Sequence, residues 1–165
     1  METAEQHFIT LAIRTIRDNY LPKIREAVEK LDDRDIWSRE GETSNSIGNL
    51  LMHLSGNVRQ HIISGFGGTS DERNRPLEFA ASGGISKTEL MKDFEQTVSE
   101  ACAILERFAP SQLHETRTIQ NKKVSLFDDL LHVVEHFAYH SGQIIYIVKA
   151  VKQTRFPWYK HLDPN

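Results

Sequence analysis

The chain has 165 residues, 39% hydrophobic and 26% charged, which is the composition of a folded globular protein and not of a disordered one. Twenty lysines and arginines against 23 aspartates and glutamates leave a formal charge of −3, so there is no basic field for nucleic acid. The single cysteine, Cys102, excludes an internal disulfide and every cysteine-based zinc module.

Four segments repeat their apolar residues with helical spacing. The first runs from about Thr3 to Leu31 with the stripe Ile9, Ile13, Ile16, Tyr20, Ile24, Val28 and Leu31. Pro22 lies inside it and predicts a kink or local irregularity, because proline lacks the amide hydrogen that a helix interior requires. The second opens at Ser44-Asn45-Ser46, whose short polar side chains suit a helix N-cap, and carries Ile47, Leu50, Leu51, Leu54, Val58 and Ile62 to a stop at Gly65, Gly67 and Gly68.

Residues 65–85 then form a long connection, a length that in a small domain is functional or crosses the fold from end to end. Ser86 and Glu89 form a capping box for the third helix, which ends before Pro110. Residues 115–124 read as a small hairpin with its corner at Gln120-Asn121-Lys122. Ser125 caps the last helix, expected to reach about Lys152, and the aromatic tail Phe156-Pro157-Trp158-Tyr159 is expected to pack back on the helices.

Four amphipathic helices of this length bury their faces most simply as an all-α four-helix bundle, here a single domain over residues 1–165. The acidic, polar start is no signal peptide, and the most apolar stretch, Ile144 to Val151, is too short to span a membrane. The expected location is therefore the cytoplasm.

Eight histidines stand out, three of them in one stretch: His132, His136 and His140. Helix positions four apart differ by about 40° around the axis, so His136 and His140 can aim at one point, as can His132 and His136. Imidazole pairs of this kind hold zinc, nickel or iron. A third ligand is needed, and His53 on the second helix is the best placed, at the border of an apolar stripe. Three protein nitrogens leave a coordination position open, as catalytic sites require. The competing reading is that these are hydrogen-bonded core histidines. A di-iron bundle is disfavoured because there is no Glu-x-x-His motif, and a zinc-protease His-Glu-x-x-His is absent too.

The string His132-Val-Val-Glu-His136-Phe-Ala-Tyr-His140-Ser-Gly142-Gln143-Ile144 resembles the signature of the DinB-like superfamily, which includes bacillithiol and mycothiol transferase-like proteins. Ser46 to Asn57, followed by Arg73 to Phe79, is similar to an uncharacterised branch of that superfamily. The resemblance spans about Ser44 to Val148 and implies His53, His136 and His140 as ligands of a divalent metal. It also implies an up-down-down-up topology, with the 65–85 connection as the crossover between helices 2 and 3, and a homodimer. It leaves the catalytic residues unknown.

The remaining candidates each carry a plain reading beside the functional one. His132 is an accessory group or a solvated residue; Asn57 reaches the site or satisfies backbone. His61 lies too far along the axis from His53, and Glu135 points away. Arg73, Arg75 and Glu78 form an anion-binding lip or ordinary surface charge, and Cys102 fills core. His7, His114 and His161 receive no role. The leading expectation is a metal-dependent enzyme on a small molecule, a thiol S-transferase or hydrolase using a low-molecular-weight thiol or water. The alternative is a non-catalytic metal-binding or stress-response module.

Overall fold

Three serines, Ser46, Ser86 and Ser125, each accept an amide hydrogen three residues on, and with those caps the principal helices begin where their polar side chains interrupt the apolar pattern. The computed structural model describes residues 1–159; His161 lies outside them. Its elements are α1 (Ala4–Ile13), a π-helical segment (Arg14–Tyr20), α2 (Leu21–Glu29), α3 (Asp33–Ile36), α4 (Ile47–Val58), a second π-helical segment (Arg59–Phe66) and α5 (Arg75–Ala80). They continue with α6 (Lys87–Arg107), a 3-10 turn (Pro110–His114), β1 (Thr116–Ile119), β2 (Lys122–Ser125) and α7 (Leu126–Lys152). Among the described residues the fold is thus mainly helical with one small antiparallel sheet.

The irregularity expected at Pro22 is the π-helical stretch that precedes it, with Pro22 in the first turn of α2. A proline tolerates that position because its missing amide hydrogen has no partner in a first turn. Two short helices, α3 and α5, interrupt segments expected to be irregular. The hairpin pairs Thr116 with Ser125 and Ile119 with Lys122, and turns at Gln120 and Asn121 with φ of 50° and 61°. Both residues occupy the left-handed region that a tight hairpin turn demands.

α4 packs against α6, α5 and α7, while α2 packs against α7, so the apolar stripes meet in one core. Phe94 of α6 and Phe137 of α7 are fully buried and stacked at 5.6 Å. Trp37 lies over Gly48, where a methyl group would meet the ring at 2.8 Å, and its indole donates to the Ile85 carbonyl at 2.9 Å. Cys102 is buried in this core as expected, and burial pushes its thiol up to about 11. The aromatic tail returns to α2: Trp158 Nε1 donates to Glu26 at 2.5 Å, and Lys23 lies over the Tyr159 ring. Among the described residues no helix is long and apolar enough to cross a membrane.

Candidate metal centre

His53 is presented by α4 and its partners by α7, two helices in direct contact. Leu50, Leu51 and Leu54 anchor α4 in the core around His53, and Phe137 does the same beside His136. The backbone therefore has little freedom to move the imidazoles apart. His53 and His140 are 5% and 9% exposed.

Three ring nitrogens converge. His53 Nε2 lies 3.0 Å from His136 Nε2, which lies 3.2 Å from His140 Nε2. Four-coordinate zinc with bonds of about 2.0–2.1 Å would set its nitrogens roughly 3.3–3.4 Å apart, so these two separations need only a slight expansion to hold an ion. Among the described residues this is the one group of three or more His, Cys, Asp or Glu side chains arranged so that it could do so.

The opposite nitrogens decide the tautomers. His53 Nδ1 donates to Glu78 Oε2 at 2.8 Å, and His140 Nδ1 donates to Gln143 Oε1 at 2.7 Å. A proton held on Nδ1 leaves the Nε2 lone pair facing the cluster, which is what coordination requires. His136 Nδ1 is buried without a hydrogen-bond partner among the described residues.

Charge is managed in the same direction. Burial, then the imidazoles of His140 and His53, hold His136 down to about 3, so it stays neutral. Burial likewise lowers His140, partly offset by Gln143. Burial alone would push the Glu78 carboxyl up; hydrogen bonds from His53 and Arg73 outweigh it and hold it below the ordinary carboxylate range.

Glu78 reaches His53 because α5 is pinned across α4. Asn49 Nδ2 donates to the carbonyls of Glu78 and Ala81, each at 2.8 Å, and Arg39 donates to Ala81 at 2.7 Å. These side chains satisfy carbonyls at the end of a helix too short to satisfy its own. Arg73 then grips Glu78 through Nε at 2.7 Å and Nη2 at 2.9 Å, its side chain only 4% exposed. Gly56 makes room: a Cβ there would stand 2.1 Å from Glu78 Oε1. Phe79 covers one face of His53 at 4.7 Å, and the Arg75 guanidinium lies over Phe79.

Of the residues singled out in the sequence, His53, His136 and His140 come together and His132 does not join them. His132 is exposed, its ring 5.6 Å from His136 and 5.1 Å from His61. Arg73 and Glu78 are not a surface lip; they are a buried pair behind His53, and Arg75 alone is exposed. Asn57 is buried with its Oδ1 unpartnered, and Glu135 is exposed. His7 and His114 lie at the surface beside Glu2 and Glu5. Sequence reasoning missed Gln143, one turn past His140 and at hydrogen-bonding distance, although helix spacing could have found it. It also missed the His61–Asp129 pair.

A cavity of about 510 Å³ is lined by Gly56, Arg73 and Glu78 among others, but by none of the three histidines.

The geometry can be set beside known proteins. The family model for "Protein of unknown function (DUF1572)" matches residues 3–161. The chain belongs to the DUF1572 family. A crystal structure of a conserved protein from Enterococcus faecalis superposes with a TM-score of 0.72 at 17% identity, covering 88% of this chain and 97% of that one. A DinB-like protein of Bacillus subtilis, YjoA, superposes with a TM-score of 0.68 at 21% identity, covering 89% and 96%. The fold of this DUF1572 member is therefore DinB-like. No curated protein matches it.

Proposed function

We propose that this protein binds one divalent transition-metal ion through His53, His136 and His140 and uses it on a small-molecule substrate, by thiol S-transfer or hydrolysis. The observation that carries this reading is the convergence of three Nε2 atoms while two of the three imidazoles are fixed through Nδ1. Three imidazole ligands, with no fourth His, Cys, Asp or Glu among the described residues, suit an ion that keeps an open position. Zinc, nickel and iron all accept this donor set. A divalent ion there supplies Lewis acidity that lowers the pKa of a thiol or a water at neutral pH.

The protein's own contribution is orientation. Glu78 and Gln143 hold two rings, Arg73 holds Glu78, and Phe79 shields one face of His53 from water. The same reading takes the helices as an up-down-down-up four-helix bundle in a single domain, with the connection that carries α5 as its crossover. A low-molecular-weight thiol as co-substrate, a homodimeric assembly and a cytoplasmic location belong to this proposal.

One observation favours a second reading, a non-catalytic metal-binding module. The 510 Å³ cavity beside Glu78 contains none of the three histidines, whereas a substrate pocket should open on the ion.

Elemental analysis of protein purified without a His-tag tests the site. About one tightly held ion per chain is expected, and its loss in the His53→Ala/His136→Ala variant. Turnover of a thiol-transfer or ester substrate that persists in that variant would sink the metal-dependent reading, whereas a bound ion with no turnover of such substrates in wild type would leave the module.

A further inference from the structure

The arrangement around His53 recurs two turns along the same helix. His61, in the π-helical segment Arg59–Phe66, is 4% exposed, and its Nδ1 donates to Asp129 Oδ1 at 2.7 Å. Asp129 is equally buried, at 4%. A carboxylate on Nδ1 fixes the proton there and turns the Nε2 lone pair outward, as Glu78 does for His53. The second half of the pair also recurs. His132 of α7 stands beside His61 with ring centroids 5.1 Å apart, against 4.8 Å for His53 and His136.

We propose that His61 and His132 form a second, weaker divalent transition-metal site next to the three-histidine cluster. Two imidazoles supply the coordinating nitrogens, and Asp129 anchors His61 from behind. Gln120, at the hairpin corner, brings its side-chain amide to 3.3 Å from His61 Nε2. A half-turn about its last torsion would exchange the amide nitrogen for the oxygen, a third neutral donor, and give up the bond that Gln120 makes to Gln60 Oε1. His132 is exposed, so its ring can turn toward the ion without disturbing the core.

Three features support a binding role over simple core packing. Asp129 Oδ2 is buried with no hydrogen-bond partner among the described residues, so one carboxylate oxygen behind His61 is left unsatisfied. The π-helical geometry that holds His61 is rare and occurs frequently at functional sites. In the metal-free protein a polar chain also ties the two regions together: Arg73 donates to Gln60 Oε1 at 2.9 Å, and Gln120 donates to that same oxygen. The sites are neighbours, since the His132 and His136 rings are 5.6 Å apart. Two imidazoles and an amide hold an ion less tightly than three imidazoles do, which sets the order of filling.

This inference does not depend on the three-histidine site being loaded. The test is a Zn²⁺ titration of untagged protein, followed by calorimetry and by competition with a chromophoric chelator. Wild type is expected to bind in two steps. His132→Ala and His61→Ala should abolish the weaker step and leave the tighter one, and Asp129→Asn should weaken the second step about tenfold. The His53→Ala/His136→Ala variant should keep only the weaker step. His132 is exposed, so its variant remains informative even where His61→Ala does not fold. A single step in wild type, or a weaker step that survives His132→Ala, overturns the second site; binding at His7 or His114 would survive in that way. Loss of the tighter step alone from wild type would count against the three-histidine reading and not against this one.

Discussion

Glu78 accepts the Nδ1 hydrogen of His53 at 2.8 Å across 25 residues of chain, and that one bond links the connection between α4 and α6 to the candidate metal centre. The carboxylate is shared with Arg73, so orientation of the imidazole and neutralisation of a buried guanidinium depend on the same group.

Glu78→Gln is expected to separate those two duties. Arg73 would lose its counter-charge in a buried setting, at a cost on the order of 3 kcal/mol in urea unfolding. Metal affinity should fall roughly 10–100-fold by chelator competition. The double variant Arg73→Met/Glu78→Gln should regain most of the stability and none of the affinity. Full recovery of affinity in the double variant would show that Glu78 only balances charge.

Gly56→Ala tests the same contact from the other side. Alanine favours an exposed helix interior by about 1 kcal/mol over glycine. Here its Cβ would stand 2.1 Å from Glu78 Oε1 and 3.0 Å from Arg73 Nε, so the carboxylate must leave His53. The expected result is weaker metal binding, with little further loss when Gly56→Ala is combined with Glu78→Ala. Additive losses would mean that the two changes act separately.

The metal-free protein should lose stability on acidification. His136 is held down to about 3 in the folded state, chiefly by burial, whereas in the unfolded chain it titrates near its ordinary value of 6.5. Between about pH 6.5 and pH 3 the unfolded state binds the extra proton, so stability falls as pH falls through that window and levels off below it. Urea midpoints measured across this range should show a shallower slope for His136→Gln. An unchanged slope would place the effect elsewhere.

Phe137→Ala should cost about 3–5 kcal/mol, because the ring is fully buried against Phe94 and Tyr20. The same change loosens the helix next to His136. Zinc should therefore raise the melting temperature of this variant less than that of wild type.

The parts legible in the sequence were those governed by local spacing. Ser46, Ser86 and Ser125 mark helix starts because a cap acts over three residues, and His136 and His140 meet because they are one turn apart. His53 was reachable by the apolar register of α4. Glu78 was not, because α5 has only six residues and no periodicity of its own, and its position depends on Asn49 and Arg39 holding its carbonyls. Nor was the His61–Asp129 pair, whose members lie 68 residues apart and meet through helix packing alone. Pro22 announced an irregularity at the first π-helical segment, but the second, Arg59–Phe66, was hidden, since its apolar residues fit an ordinary helical stripe closely enough to pass for one.

His53 and His136 are separated by 83 residues of chain. An ion gripping both would behave as a cross-link, closing a loop that contains α5, α6 and the hairpin. Chain-entropy arguments developed for disulfides give a closure of that length a value of about 4–5 kcal/mol. In a protein with no disulfide, the clasp at the three histidines would then be the longest covalent-like restraint on the chain. Stripping the ion should speed unfolding of that whole loop together and leave α1 and α2, which lie outside it, to respond only through their packing.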